Sequence, residues 1–265
     1  MQEKYISYND RRIFYRITGS GKPVVLLHGF GEDGNIWNAQ VDYLNKHYRL
    51  IVPDLPGSGR SDLINNLTTG LETYATVVKQ ILESENIQKP VMIGHSMGGY
   101  ITLAFAEMYP EELHALGLFH SSGYKDDEAK IDLRRKAISF IKANGSEAFL
   151  KTSIPNLFFD QENKEPIDTL ISNGKNFMPE ALVQYYEAMI ARPDRTMVLR
   201  NFMSPVLFVI GAYDKAVPFT HGLEQSHMPG IADIHVLRNS AHMGMLEETT
   251  KSNSILASFL ANFTY

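Results

Sequence analysis

The chain has 265 residues, a formal net charge of −5, ordinary hydrophobic (44%) and charged (21%) fractions, and no cysteine. That length is enough for one large α/β domain or two small ones with a sizeable core. The charge offers no positive field to phosphate backbones or anionic lipids, so neither nucleic acid nor a membrane is an expected partner, and the lack of cysteine excludes disulfides, thiolate metal sites and a cysteine nucleophile.

Met1-Gln2-Glu3-Lys4-Tyr5 enters a polar/apolar alternation at once, without an apolar leader, and no later apolar run approaches a membrane span. A cytoplasmic location is therefore expected. Alternation over residues 3–17 around Asn9-Asp10 predicts a β-hairpin at a sheet edge. Three short apolar runs follow, Pro23–Leu27, Arg49–Val52 and Pro90–Ile93. They do not alternate, which suits parallel strands covered on both faces. Between the last two, Tyr74, Val77, Val78, Ile81 and Leu82 recur at helical period. Further strands are expected at Leu116–Phe119 and Pro205–Ile210, with a weaker one at Ile234–Leu237. Alternating strands and helices predict the α/β class with a parallel sheet. From about Ser121 to Met203 the pattern is helical, with a charged start at Asp126-Asp127-Glu128 and polar breaks at Asn144-Gly145 and Asn173-Gly174, so a helical insertion is expected. Ile255, Leu256, Phe259, Leu260 and Phe263 predict a closing amphipathic helix.

The strongest chemical signal is Gly94-His95-Ser96-Met97-Gly98, between the strand Val91–Ile93 and the helical pattern of Tyr100, Leu103, Ala104 and Phe105. A serine on a strand-to-helix turn is held in a strained conformation with its hydroxyl exposed, and its neighbours two before and two after must be small. Gly94 and Gly98 meet that need. A serine hydroxyl attacks only with help: a histidine takes its proton, an acid orients the histidine, and N–H donors receive the oxyanion. On such a sheet the partners follow in the order serine, acid, histidine, each at the carboxyl end of a strand. Asp214 and His242 satisfy order and position. The expected oxyanion donors are the main-chain N–H groups of Phe30, in His28-Gly29-Phe30-Gly31, and of Met97. His28 is read as shaping its turn, and His114, His120, His221, His227 and His235 as surface or helix-end residues. Asp126 or Asp127 is a second possible acid, but their charge cluster more simply starts a solvated helix.

Taken together, His28–Gly31, Asp54–Asp62, Gly94–Gly99, Gly211–Asp214, and His242 with Glu247 resemble, in order along nearly the whole chain, the α/β-hydrolase superfamily. The resemblance implies a mostly parallel eight-stranded sheet flanked by helices, no cofactor, an architectural role for the Asp54–Asp62 loop, and a helical cap. Core segments are expected at 1–120 and 203–265 and the cap at 121–202. Ala241 departs from the glycine that many relatives carry before the histidine. Within the superfamily the chain is similar to small bacterial carboxylesterases and to carbon-carbon hydrolases of ring-fission products. The expected partner is a small-molecule ester or related acyl compound, with carbon-carbon hydrolysis, perhydrolysis or a sensor with little turnover as alternatives. The aspartate nucleophiles of haloalkane dehalogenases and epoxide hydrolases are excluded by Ser96. Neither H-E-x-x-H nor a P-loop occurs, so no metal and no nucleotide is expected. Among Phe149, Phe158, Phe159, Phe177, Tyr185, Tyr186, Phe202, Met178 and Met189, most are expected to pack the cap itself, with the remainder lining an acyl site. Trp37 is read either as touching substrate or as anchoring its helix. Arg192, Asp194 and Arg195 are read as a solvated or interdomain ion-pair cluster rather than a site for a charged substrate group.

Overall fold

A computed structural model describes residues 1–64, 70–162 and 164–263. Residues 65–69, 163 and 264–265, which fall inside the core and cap spans expected above, lie outside the described residues, as does the side chain of Phe263. The hairpin forms from β1 (Gln2–Tyr8) and β2 (Arg11–Thr18), turning through Asn9 and Asp10, both with positive φ. Two consecutive positive-φ residues match the strand twist in a two-residue hairpin, and Asn and Asp tolerate that conformation better than most.

The apolar runs become β3 (Lys22–Leu27), β4 (Tyr48–Pro53), β5 (Val91–His95), β6 (Ala115–Phe119) and β7 (Val206–Gly211), with β8 (Ala232–Leu237) at the edge. The eight strands lie in the order β1-β2-β4-β3-β5-β6-β7-β8. Only the β1–β2 and β2–β4 pairings are antiparallel. Every residue of β5 and β6 is buried, as continuous apolar strands between two helical layers should be. Those layers include α1 (Asn38–Leu44), α2 (Leu71–Ser84) and α3 (Met97–Met108), each connecting parallel strands. On α2, Tyr74, Val77, Val78, Ile81 and Leu82 are all buried, as their spacing predicts.

Between β6 and β7 stand α4 (Glu128–Ser153), α5 (Lys164–Gly174), α6 (Pro179–Ala191) and α7 (Thr196–Asn201), with no strand among the described residues. α4 breaks at Gly145, where φ is 84°, and α5 stops at Gly174. Downstream lie α8 (Phe219–Ser226), the single turn α9 (Gly244–Glu247) and α10 (Thr249–Phe263). No helix among the described residues is long and apolar enough to cross a membrane.

The Asp54–Asp62 loop is held by hydrogen bonds within itself and to the neighbouring segments. Asp54 accepts from the N–H groups of Gly34 and Arg60, both at 2.9 Å, and Asp62 from that of Arg12 at 2.8 Å. Tyr185 of α6 reaches across to the carbonyl of Pro56 and the hydroxyl of Ser58, each 2.7 Å away.

Candidate active site

β5 ends at His95, α3 begins at Met97, and Ser96 between them has φ 51° and ψ −114°. A non-glycine residue with positive φ stores strain of the order of 1–3 kcal/mol, tolerated where the surroundings hold it. Here the surroundings are two glycines. A Cβ on Gly94 would lie 2.2 Å from the carbonyl carbon of Gly98, and one on Gly98 would lie 2.6 Å from the carbonyl oxygen of Leu27. The turn therefore closes only with no side chain at either place.

Ser96, His242 and Phe30 line one cavity of about 510 Å³, together with Tyr100, Leu133, Leu157, Tyr186 and Met189. His242 Nδ1 donates to Asp214 Oδ2 at 2.8 Å, which leaves Nε2 with its lone pair. The other carboxylate oxygen of Asp214 accepts from the N–H groups of Ala216 and Val217 at 2.8 and 2.9 Å. Burial works against the charge on Asp214, but the imidazoles of His242 and His120 outweigh it and hold the carboxyl well below the usual range. The main-chain N–H groups of Phe30 and Met97 find no acceptor among the described residues.

His28 has the structural position expected of it. Its Nε2 accepts from the N–H of Leu55 and its Nδ1 donates to the carbonyl of Gly29, both at 2.9 Å. Trp37 is fully buried against the edges of Phe119 and His95, which selects the anchoring reading. Of the aromatic and methionine residues singled out between β6 and β7, Tyr186 and Met189 line the cavity, and Tyr186 stacks on Phe30 at 4.2 Å. Phe158, Phe177, Tyr185 and Phe202 are buried, while Phe159 and Met178 are exposed. Ala241 is accommodated, its N–H donating to Glu247 at 2.9 Å.

Two expectations need correction. His120, read as a surface or helix-end residue, is fully buried at the carboxyl end of β6, with φ 50° and its Nδ1 3.4 Å from Asp214 Oδ2. The strand delivers it to the acid, and burial pushes its imidazole down to about 4, with Asp214 only partly opposing. Asp126 does not join a solvated helix start. It turns inward to Arg134 and to Arg192, the latter at 2.9 Å, while its neighbour Asp127 caps α4 through the N–H of Lys130. Burial opposes ionisation of Asp126, but the two guanidiniums prevail and its carboxyl sits at about 2. Arg192 and Arg195 do form an ion-pair cluster, and of the two forms expected it is the one between segments rather than the solvated one: both are buried, and Arg195 pairs with Glu72 of α2 and Glu107 of α3. His221 lies half-buried on the first turn of α8 and lines the cavity wall.

The sequence reading passed over Glu32. Its Oε2 accepts from the N–H of Gly29 at 2.8 Å and lies 2.9 Å from His95 Nδ1, while His95 Nε2 donates to the carbonyl of His242 at 2.9 Å. No motif signals this pairing, because its partners are far apart in sequence. His120, Asp214 and His242 each offer a ligand atom within 4.8 Å of the others. A cation there would displace the proton that His242 Nδ1 donates to Asp214.

Residues 22–142 match the family model described as alpha/beta hydrolase fold. The chain is 28% identical to a 2-hydroxy-6-oxononadienedioate/2-hydroxy-6-oxononatrienedioate hydrolase of Paraburkholderia phymatum, over 95% of this chain and 91% of that one. It is also 28% identical to a 2-hydroxy-6-oxo-6-phenylhexa-2,4-dienoate hydrolase of Comamonas testosteroni, over 98% and 94%. A solved thermophilic esterase from Thermogutta terrifontis, with malate bound, superposes with a TM-score of 0.93 at 26% identity over the whole of both chains.

Proposed function

Since the chain belongs to the α/β-hydrolase superfamily, we propose that it is a serine hydrolase cleaving carboxylic esters of small to medium, largely apolar acyl groups through an acyl-enzyme. One observation carries the reading: strained Ser96 shares a cavity with His242, whose Nδ1 is bonded to a buried, ionised Asp214. In the proposed reaction His242 Nε2 takes the proton as Ser96 Oγ attacks the acyl carbonyl, and Asp214 stabilises the imidazolium that forms. The oxyanion lies between the N–H groups of Phe30 and Met97, where a single donor is typically worth about 10²–10³ in kcat. His242 then protonates the leaving alcohol and activates the water that releases the acid.

The helices between β6 and β7 act as the cap in this reading, and Leu133, Leu157, Tyr186 and Met189 give the cavity its apolar wall. Acyl-chain profiling with p-nitrophenyl esters and labelling by a fluorophosphonate probe test the proposal. Wild type should turn over acetate or butyrate and be labelled at Ser96, and Ser96→Ala should keep the fold while losing both. Turnover by the alanine variant would overturn the assignment.

A second reading, carbon-carbon bond hydrolysis, is favoured by the names of the two relatives with 28% identity. It calls on the same three side chains. Cleavage of a vinylogous diketone much faster than of simple esters would select it.

A further inference from the structure

Glu32 and His95 take no part in the steps above, yet they join three segments of the site: the loop after β3 that carries Phe30, the turn that carries Ser96, and the loop that carries His242. A main-chain carbonyl offers only lone pairs, so His95 Nε2, 2.9 Å from the His242 oxygen, must carry a hydrogen. On its other side Nδ1 lies 2.9 Å from Glu32 Oε2, an oxygen that already accepts from Gly29 N–H. An ordinary neutral imidazole would face that carboxylate with a lone pair. The contact needs one more proton, and an imidazolium beside a carboxylate supplies it.

The surrounding groups agree. His95 is fully buried and Glu32 is 6% exposed. Burial disfavours charge on both, but each offsets it for the other: Glu32 is held below the usual carboxylate range, helped by Gly29 N–H, and His95 is raised, helped by the carboxylate of Asp214. The other rings facing His95 are His242 at 4.9 Å, His120 at 6.1 Å and Trp37 at 6.5 Å. Room is short as well, since a Cβ on Gly29 would lie 3.0 Å from His95 Nδ1 and 3.2 Å from Ser96 Cβ. Glu32 also borders both the active cavity and a second one of about 410 Å³ beneath α5, which gives protons a route to the pair.

The geometry points to Glu32 and His95 as a positioning pair whose retained proton holds the oxyanion loop and the His242 main chain in register with Ser96. The inference rests on the proposed roles of Phe30, Ser96 and His242. Loss of the proton at high pH leaves two lone pairs opposed at hydrogen-bond distance in a buried site, which drives Gly29 and the adjoining Phe30 donor away from the serine. Ester turnover should therefore fall on an alkaline limb that belongs to this pair.

Glu32→Gln removes the negative charge but keeps the size and the acceptor. It should move the alkaline limb of kcat/KM downward by roughly one to three pH units, the usual effect of an adjacent opposite charge, with a smaller change on the acid plateau. His95→Gln, which cannot titrate, should lose that limb. A uniform drop at all pH values in Glu32→Gln, with the limb in place, would mean only a packing role and would overturn the inference. In case either variant folds poorly, heteronuclear NMR of the wild-type histidine rings decides without substitution: both His95 nitrogens should be protonated at neutral pH, and a single ring proton would sink the idea. The spectrum does not depend on turnover, so failure of the esterase reading, seen as no ester hydrolysis at any pH, remains distinguishable.

Discussion

The main-chain N–H of His242 donates to the carbonyl of Leu157 at 2.9 Å, so the segment between β6 and β7 holds the proposed base directly. Glu247 ties the same two pieces together: one carboxylate oxygen accepts from Phe159 N–H at 2.6 Å, the other from Ala241 and Met243 at 2.9 and 3.2 Å. Glu247→Ala strips three N–H groups of their acceptor and frees the loop. A base displaced by about 1 Å costs on the order of 10²-fold in rate. The expected result is a kcat loss of that order with a smaller change in KM, measured on p-nitrophenyl butyrate.

Asp126 bridges Arg134 and Arg192 where helix α4 leaves the sheet and α6 returns to it. Its carboxyl is depressed in the folded state to about 2. It therefore contributes stability that is present above its unfolded value near about 4 and lost as pH falls toward that depressed value. Asp126→Asn should cost about 3–5 kcal/mol at neutral pH, because Arg192 is left buried without its counter-charge. Urea unfolding should show the gap to wild type narrowing as pH falls from about 4 toward about 2. A gap independent of pH would assign the loss to packing.

The parts of the fold most legible in the sequence are those with local causes. Two positive-φ residues make the hairpin, continuous apolar runs make the central parallel strands, and a helical period makes α2. β8 reads weakly because it is an edge strand, with Ile234 exposed and only Leu237 fully buried. Asp214 and His242 lie at strand ends, where chain order alone points to them, and the structure brings them to 2.8 Å. Glu32, His120 and Asp126 are different. Each gains its environment from a residue 63, 94 or 66 positions away, and one sequence carries no record of such pairings. Asp126 and Asp127 are indistinguishable by composition, yet one is buried against two arginines and the other caps a helix.

His120 makes a separate prediction about pH. Its imidazole is kept neutral by burial, with a folded value of about 4 against about 6.5 unfolded. The unfolded chain therefore binds the proton first. Stability from this group is fully present above the unfolded value and falls by about 1.4 kcal/mol per pH unit between the two values. His120→Asn suits the position because asparagine tolerates the left-handed backbone found there. That variant should unfold with a shallower dependence on pH across this window, read from urea midpoints. An unchanged slope would show that His120 is not the group responsible.

Tyr186 bears on acyl-chain preference. Its ring stacks on Phe30 at 4.2 Å and meets Phe149 edge-on at 6.0 Å, closing one wall of the cavity that holds Ser96. Burial raises its hydroxyl to about 12, so at working pH the wall is a neutral phenol. Tyr186→Ala opens apolar space beside the proposed acyl site without touching Ser96, Asp214 or His242. Each methylene newly buried there is worth about 0.8 kcal/mol, close to a factor of about four in kcat/KM. The expected outcome is a shift of the preferred p-nitrophenyl ester to longer chains, with loss on acetate because the short acyl group is no longer confined. Equal loss on every chain length would place Tyr186 in support of the Phe30 loop rather than in the acyl pocket.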